Sequence, residues 1–198
     1  MDDHTYDLLV VGSGTGMLAA LAAAEAGLSV LVIEKSEYFG GSTALSGGGF
    51  WIPNNPLLRA AGAVDSPDRA AEYLRHLTAG EVPEQRWETF LAHGPAAVDL
   101  LRRRTPLKFQ QMTGYADYFP ETPGGSATGR AMEPKPFNVR LLGEDRALLR
   151  PPAMAAPFPM PVSGKSYKWL NLITRTPRGI VTAGKLLGLG VGGLAIRR

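Results

Sequence analysis

With 198 residues and no cysteine, the chain is long enough for one or two domain cores and excludes disulfides, thiolate metal ligands and thiol catalysis. Its 21 basic and 18 acidic residues leave a net charge of +3, too small for a nucleic-acid surface, so no nucleic-acid partner is expected. The opening Met1-Asp2-Asp3-His4 is acidic and runs straight into an apolar stretch, without the regions of a signal peptide, which makes the cytoplasm the expected compartment.

The first predicted strand is Tyr6 to Val11, and it ends on Gly12-Ser13-Gly14-Thr15-Gly16. Gly12 and Gly14 allow a turn tight enough for backbone N–H groups to face a pyrophosphate. A helix from about Thr15 to Ala26 points its positive end at the same place, and its alanines permit close packing on a sheet. Gly27 supplies the stop. A second strand, Ser29 to Ile33, delivers Glu34 about twenty residues after Gly14, where a carboxylate can accept from ribose hydroxyls, with Lys35 and Ser36 beside it. The glycine pattern departs from G-x-G-x-x-G in one respect: Met17 stands at the third position and Gly16 comes one place early.

A second glycine and serine run follows, in which Gly40, Gly41, Ser42, Thr43, Ser46, Gly47, Gly48 and Gly49 read as flavin-site residues attached to an ADP-binding βαβ unit. Residues 50–56, with two prolines and two asparagines, read as a loop, with Phe50 assigned to the core and Trp51 left open between core and cofactor border. Ser66-Pro67-Asp68 is a helix start, leading to Thr78 with Ala70, Tyr73, Leu74 and Leu77 on one apolar face and a stop at Gly80. Glu84 to His93 reads as a further helix stopped by Gly94-Pro95, and Ala96 to Arg104 as another. Arg102-Arg103-Arg104 reads as a solvated helix end rather than an anion site, and His76 and His93 lack any second ligand at metal spacing, so no metal is expected.

From Pro106 the texture changes. Leu107 to Met112 alternates like a short strand, and a long stretch rich in proline, glycine and aromatics follows, too aromatic for disorder and long enough to be functional. Residues 139–165 read only as a proline-rich linker or surface loop. The apolar stretch Gly179 to Ile196 is broken by Lys185 and five glycines and falls short of the about 20 apolar residues that a bilayer span needs. A buried or surface-lying segment is the expectation, and peripheral membrane contact stays open.

Taken together, Val11-Gly12-Ser13-Gly14, Glu34-Lys35, Gly40-Gly41-Ser42-Thr43-Ala44, Trp51-Ile52-Pro53-Asn54-Asn55, Asp117-Tyr118-Phe119-Pro120-Glu121 and Glu133-Pro134-Lys135-Pro136-Phe137-Asn138 resemble the N-terminal part of the 3-ketosteroid-Δ1-dehydrogenases (3-oxosteroid 1-dehydrogenases). These are FAD-dependent oxidoreductases related to the fumarate reductase and succinate dehydrogenase flavoproteins. The resemblance implies an α/β fold, in which an incomplete FAD-binding Rossmann-like βαβ unit is followed by the mostly helical and irregular start of a substrate domain. Residues 1–64 would be the N-terminal part of the FAD-binding domain, 65–105 its helical segment, and 106–198 the loop-rich beginning of the substrate domain.

The implied reaction removes hydrogens from C1 and C2 of a 3-ketosteroid, passing a hydride to flavin N5, with a quinone-like electron acceptor still to be identified. In the family a tyrosine in an Asp-Tyr-aromatic motif hydrogen-bonds to the tyrosine base, and Tyr118 matches it. The alternative for Tyr118 is a packed loop aromatic. Relatives with covalent flavin use a histidine in the segment matching Ser42 to Gly49, which has none here, so the FAD is expected to be non-covalent. The resemblance places the base and ketone-binding groups beyond the position of Arg198, so this chain alone is expected not to desaturate steroids, and its open sheet to favour association. A sibling flavoenzyme of the fumarate reductase type, or a non-catalytic piece of a flavoprotein, are the alternative readings.

Overall fold

The computed structural model describes residues 4–151, 162–191 and 194–195. It opens on β1 (Leu8–Val11), α1 (Gly16–Glu25) and β2 (Val30–Ile33), a βαβ start with β1 and β2 paired in parallel, Leu8 opposite Val30 and Val11 opposite Ile33. Side chains alternate across the two strands. Val10 is buried against α1 along with Ala20 and Ala23, whereas Leu9, Val11, Leu31 and Ile33 stand on the other face and are exposed, Val11 to 76%. A continuous apolar run of this kind is the pattern of a parallel strand covered on both faces, and here one face is bare.

A short α2 (Gly41–Leu45) leads to a second, antiparallel sheet in which β5 (Ala131–Pro134) lies between β3 (Phe50–Trp51) and β4 (Phe109–Gln111). Three helices pack around it: α3 (Pro56–Ala60), α4 (Pro67–Thr78) and α5 (Glu84–Arg104). Ala70, Tyr73, Trp87, Leu58, Val98 and Met132 form the core. The chain then runs through β6 (Phe137–Asn138), a kinked 3₁₀ segment (Val139–Leu148), α6 (Gly164–Leu170) and α7 (Pro177–Val191), and β7 (Leu194–Ala195) pairs back onto β6. Among the described residues no helix is long and apolar enough to cross a membrane, and no group of three or more His, Asp or Glu is placed to hold a metal.

Several sequence expectations change. Residues 50–56 are a loop only over 52–55: Phe50 and Trp51 pair with Met132 and Ala131, and Asn55 caps α3, which begins at Pro56. The Asn55 side chain accepts from Leu57 N at 3.0 Å and Leu58 N at 3.1 Å while its amide donates to the Ile52 carbonyl at 2.7 Å, so Asn-Pro here is a helix start rather than a breaker. The helix expected to stop at Gly94-Pro95 runs on to Arg104 as one element. Pro95 forfeits one backbone bond. Gly94 is buried where a Cβ would come within 3.0 Å of Ile52 Cγ2, so packing against Ile52, together with buried Trp87, Val98 and Leu100, holds the helix across the proline.

The irregular stretch after Met112 hides β5, the central strand of its sheet, with Pro134 tolerated at its last position. Leu77, placed on the apolar face of α4, is exposed. The linker expected over 139–165 contains the 3₁₀ segment and the start of α6, and its residues 152–161 lie outside the described ones. The apolar C-terminal stretch is largely α7. Phe50, assigned to the core, is half-buried and meets the half-buried Phe109 edge-on at 5.3 Å, and Trp51 stacks on Phe90.

Arg130, fully buried, is the junction of this half. Its Nη1 donates to Asp117 Oδ2 at 2.6 Å, its Nε and Nη2 to Asp65 Oδ1 at 3.0 and 2.9 Å, and Nη2 also to the Gly124 carbonyl at 2.7 Å. The guanidinium lies over the rings of Trp51 and Tyr73 at 5.8 and 5.6 Å. Arg130→Met removes the cation and leaves two buried carboxylates, an expected loss of about 3–5 kcal/mol in urea unfolding. Arg75→Met, which breaks an exposed pair with Glu84, should cost under about 1 kcal/mol. Equal losses for the two would contradict this assignment.

Candidate dinucleotide site and the Tyr118 loop

Where β1 ends, Gly12 takes φ +97 and its N–H donates to the Ile33 carbonyl at 2.7 Å, locking the turn to the end of β2. A residue with a Cβ would be strained there. Ser13 is buried, and its N–H and hydroxyl both reach Glu34 Oε2, at 3.0 and 2.6 Å. Gly40 N–H donates to Ser13 Oγ at 2.8 Å. One serine thus joins the turn, the end of β2 and the start of the second glycine run.

Gly14 and Gly41 bring the two runs into backbone contact: a Cβ on Gly41, itself at φ +51, would sit 3.3 Å from Gly14 Cα. Gly16 answers the departure noted in the glycine pattern. A Cβ on it would lie 2.8 Å from Val10 Cγ1, so it performs the close helix-to-strand packing from one position earlier, and Met17 is left exposed.

The result is an open cleft of about 520 Å³, lined by Gly12, Ser13, Gly14, Thr15, Gly16, Glu34, Lys35, Gly41, Ser42 and Thr43 of the expected residues. That volume falls in the range of small-molecule sites. Thr15 caps α1 without a side-chain hydrogen bond; the Met17 and Leu18 N–H groups close the first turn on the Gly14 and Thr15 carbonyls at 3.2 and 3.1 Å, and the Gly14, Thr15 and Gly16 N–H groups at the positive end of α1 face the ligand side of the same turn. The donor set therefore fits a pyrophosphate. Ser36 supports from behind, its N–H on Glu34 Oε1 at 3.1 Å. Ser46, Gly47, Gly48 and Gly49 are outside this lining; they carry the chain from α2 to β3, with Gly48 against Pro134 and Gly49 against Met112.

Arg150 also lines the cleft, and sequence reasoning missed it. A lone arginine at the end of a featureless stretch carries no signal, because what places it is a parallel bridge between Leu149 and Phe39, with Arg150 N–H on the Phe39 carbonyl at 2.9 Å.

Tyr118 lies away from these cleft residues, beside the Arg130 junction. Asp117 accepts from Arg130, from Trp51 Nε1 at 2.9 Å and from Ser126 N at 3.1 Å, and Phe119 N–H donates to the Tyr73 hydroxyl at 3.3 Å. Between these two anchored neighbours the Tyr118 side chain is 84% exposed, so it is not a packed loop aromatic.

The Ser13 hydroxyl, then the Ser13 and Ser36 N–H groups, stabilise the Glu34 carboxylate and lower its pKa from the ordinary 4.5 to about 2. A depressed carboxyl contributes stability that is complete above its unfolded value and disappears as pH falls through the folded one. The Ser13–Glu34 latch should therefore hold at pH 5 and open only as pH falls below about 4.5 toward 2. Carboxyl-carbon titration of Glu34 by NMR should give a midpoint near 2, and a midpoint at the ordinary value would contradict the latch.

Three comparisons bear on this site. The family described as FAD binding domain matches residues 7–194. The 3-oxosteroid 1-dehydrogenase of Mycolicibacterium smegmatis is 46% identical over 187 residues, 94% of this chain and 33% of that protein. The 4-oxocyclohex-2-ene-1-carboxylate 5-dehydrogenase of Sinomonas cyclohexanicum is 42% identical over 146 residues, 73% of this chain and 24% of that one. Among solved structures, 3-ketosteroid delta1-dehydrogenase from Sterolibacterium denitrificans, in complex with 1,4-androstadiene-3,17-dione, superposes with a TM-score of 0.83 at 37% identity, covering 93% of this chain and 33% of that one. The chain thus spans about a third of the length of the relatives it matches. With a glycine turn, a latched glutamate and a helix start arranged for a dinucleotide, and a family match over nearly its whole length, the chain belongs to the FAD-binding domain family.

Proposed function

We propose that the chain forms the adenine-dinucleotide side of a non-covalent FAD site, in residues 1–64 with the helical segment 65–105, and the start of a substrate domain, residues 106–198, in an enzyme that desaturates the C1–C2 bond of 3-ketosteroids. The observation that carries the reading is the 46% identity over 94% of the chain to a 3-oxosteroid 1-dehydrogenase. When bound, FAD would supply the acceptor for the hydride.

The chain's own residues have three tasks. The N–H groups of Gly14, Thr15 and Gly16, at the positive end of α1, meet the pyrophosphate, with Arg150 adding a cation at the cleft wall. Glu34 accepts from the ribose through Oε1, which takes fewer protein hydrogen bonds than Oε2. Tyr118 donates its hydroxyl to the tyrosine base: a phenol with a pKa near 10 is a poor base at neutral pH, and a hydroxyl donating to its phenolate lowers that value. The Arg130–Asp117 pair holds the backbone from which Tyr118 projects.

The Sinomonas relative supports a second reading in which the substrate is a smaller cyclic ketone carrying a carboxylate. In both readings the electron acceptor is quinone-like, and dehydrogenation next to a ring ketone is shared.

The purified chain should retain a flavin spectrum through gel filtration, and Arg150→Ala should weaken FAD binding about tenfold. Alone, it should not reduce an artificial acceptor when given a 3-ketosteroid. Substituted for the corresponding third of the Mycolicibacterium enzyme, it should support 1,2-desaturation, and Tyr118→Phe in that chimera should lower kcat by about a hundredfold. A flavin-loaded chimera that oxidises only monocyclic oxo acids would favour the second reading, and one that oxidises neither would contradict both.

A further inference from the structure

The end of α5, the start of β4 and the end of β5 meet at a second cleft, of about 400 Å³, which shares no residue with the dinucleotide cleft. Thr105 makes the junction: its hydroxyl donates to the Leu101 carbonyl at 2.6 Å and accepts from Leu107 N at 3.3 Å, turning the chain from the last turn of α5 into β4. Lys108, just before β4, lies directly opposite Lys135, just after β5, in the antiparallel register that pairs Phe109 with Pro134, and the Lys135 N–H donates to the Lys108 carbonyl at 2.7 Å. Residues opposite each other in such a pair carry their side chains on one face. Two lysines are thus held side by side, and Arg102 and Arg103 line the same cleft.

Charge in this cleft is not balanced. Cations in a last helical turn complement the helix dipole, which accounts for Arg102-Arg103-Arg104 as a run. It does not account for two lysines on the neighbouring sheet, where like charges directly opposite each other are destabilising. Arg104 turns away to Glu25 on α1, Nη2 to Oε1 at 2.8 Å, and Arg102 is shared with Asp99, Nη1 to Oδ1 at 3.1 Å. Arg103, Lys108 and Lys135 are exposed and have no carboxylate partner among the described residues. The lining therefore holds four cations against one carboxylate, an excess of three, as large as the net charge of the whole chain. Half-buried Leu57, Leu107 and Phe109 supply the apolar part of the same lining. The volume is that of a small-molecule site, and an apolar wall beside converging cations suits an organic anion with concentrated charge. A phosphate monoester, with a charge near −2 and three acceptor oxygens, answers the free cations better than a single carboxylate would.

We propose that this cleft binds a soluble organic phosphate monoester, its phosphate held by Arg103, Lys108 and Lys135 and its apolar body against Leu57, Leu107 and Phe109. The site is separate from the dinucleotide cleft, and its occupancy does not depend on which ketone the enzyme oxidises.

Titration of the full chain at pH 8 with 1-naphthyl phosphate, followed by amide chemical shifts, tests it against 1-naphthyl sulfate, a monoanion on the same ring. The amides of Arg103, Lys108, Phe109 and Lys135 should shift along one saturable curve, at least about tenfold tighter for the phosphate, and binding should weaken severalfold in about 0.5 M salt. Lys108→Gln and Lys135→Gln should each weaken binding at these amides about fivefold while the response of Gly14 to Gly16 to ADP stays that of the parent. Because each variant relieves repulsion, its urea midpoint should equal or exceed the parent's. No saturable shift at the cleft, equal affinity for the two naphthyl esters, or glutamine variants that bind like the parent would overturn the proposal. So would glutamine variants less stable than the parent, which would make the lysines structural.

Discussion

A buried guanidinium holds together the parts of this chain that regular structure does not. Arg130 lies at the head of β5 and reaches Asp65 before α4, Asp117 in the loop after β4 and the carbonyl of Gly124, with Trp51 and Tyr73 as its walls. An unpaired charge at such depth would be prohibitive, so the three segments must be present together for the arginine to be buried at all. This converts a loop rich in proline and glycine into a fixed platform. Gly124 and Gly129 show how tight it is: side chains there would collide with the Arg69 and Tyr115 carbonyl oxygens. Tyr118 projects from that platform, so its exposure is that of a presented group on a fixed backbone.

The dinucleotide cleft depends on a smaller device of the same kind. Ser13 is bonded at once to Glu34 and to Gly40, and the two glycine runs can touch because neither Gly14 nor Gly41 carries a side chain. The cleft is therefore made by two turns closing on each other, with the β1–β2 sheet beneath. Its bare face of Leu9, Val11, Leu31 and Ile33 is the apolar surface of a parallel strand pair with a helix on one side only.

Local grammar was legible in the sequence wherever neighbours in the chain determine the outcome. The βαβ start, the Ser66 cap with Pro67 behind it, and the strand near Phe109 all follow from residues close to one another. Elements that depend on distant partners were not legible. Pro95 reads as a stop until Ile52 is known to fill the space beside Gly94, and 50–56 reads as a loop until Met132 arrives to pair with Phe50. β5 is short and ends in proline, yet pairing on both sides makes it central. The candidate site divides the same way: the glycines and Glu34 announce themselves by spacing, whereas Arg150 depends on a single bridge to Phe39. Tyr118 could be singled out only through the resemblance of its motif, because no periodicity distinguishes it.

The central claim is that the turn after β1, the end of β2 and the second glycine run together form one dinucleotide site. A nitrogen-proton correlation spectrum of the chain titrated with ADP tests it most directly, since ADP carries the pyrophosphate and ribose without the flavin. The account predicts that the amides of Ser13 to Gly16, Lys35, Gly41 to Thr43 and Arg150 shift together along one binding curve while those around Arg130 stay in place. Shifts confined to other segments, or no saturable shift at any of these amides, would contradict it.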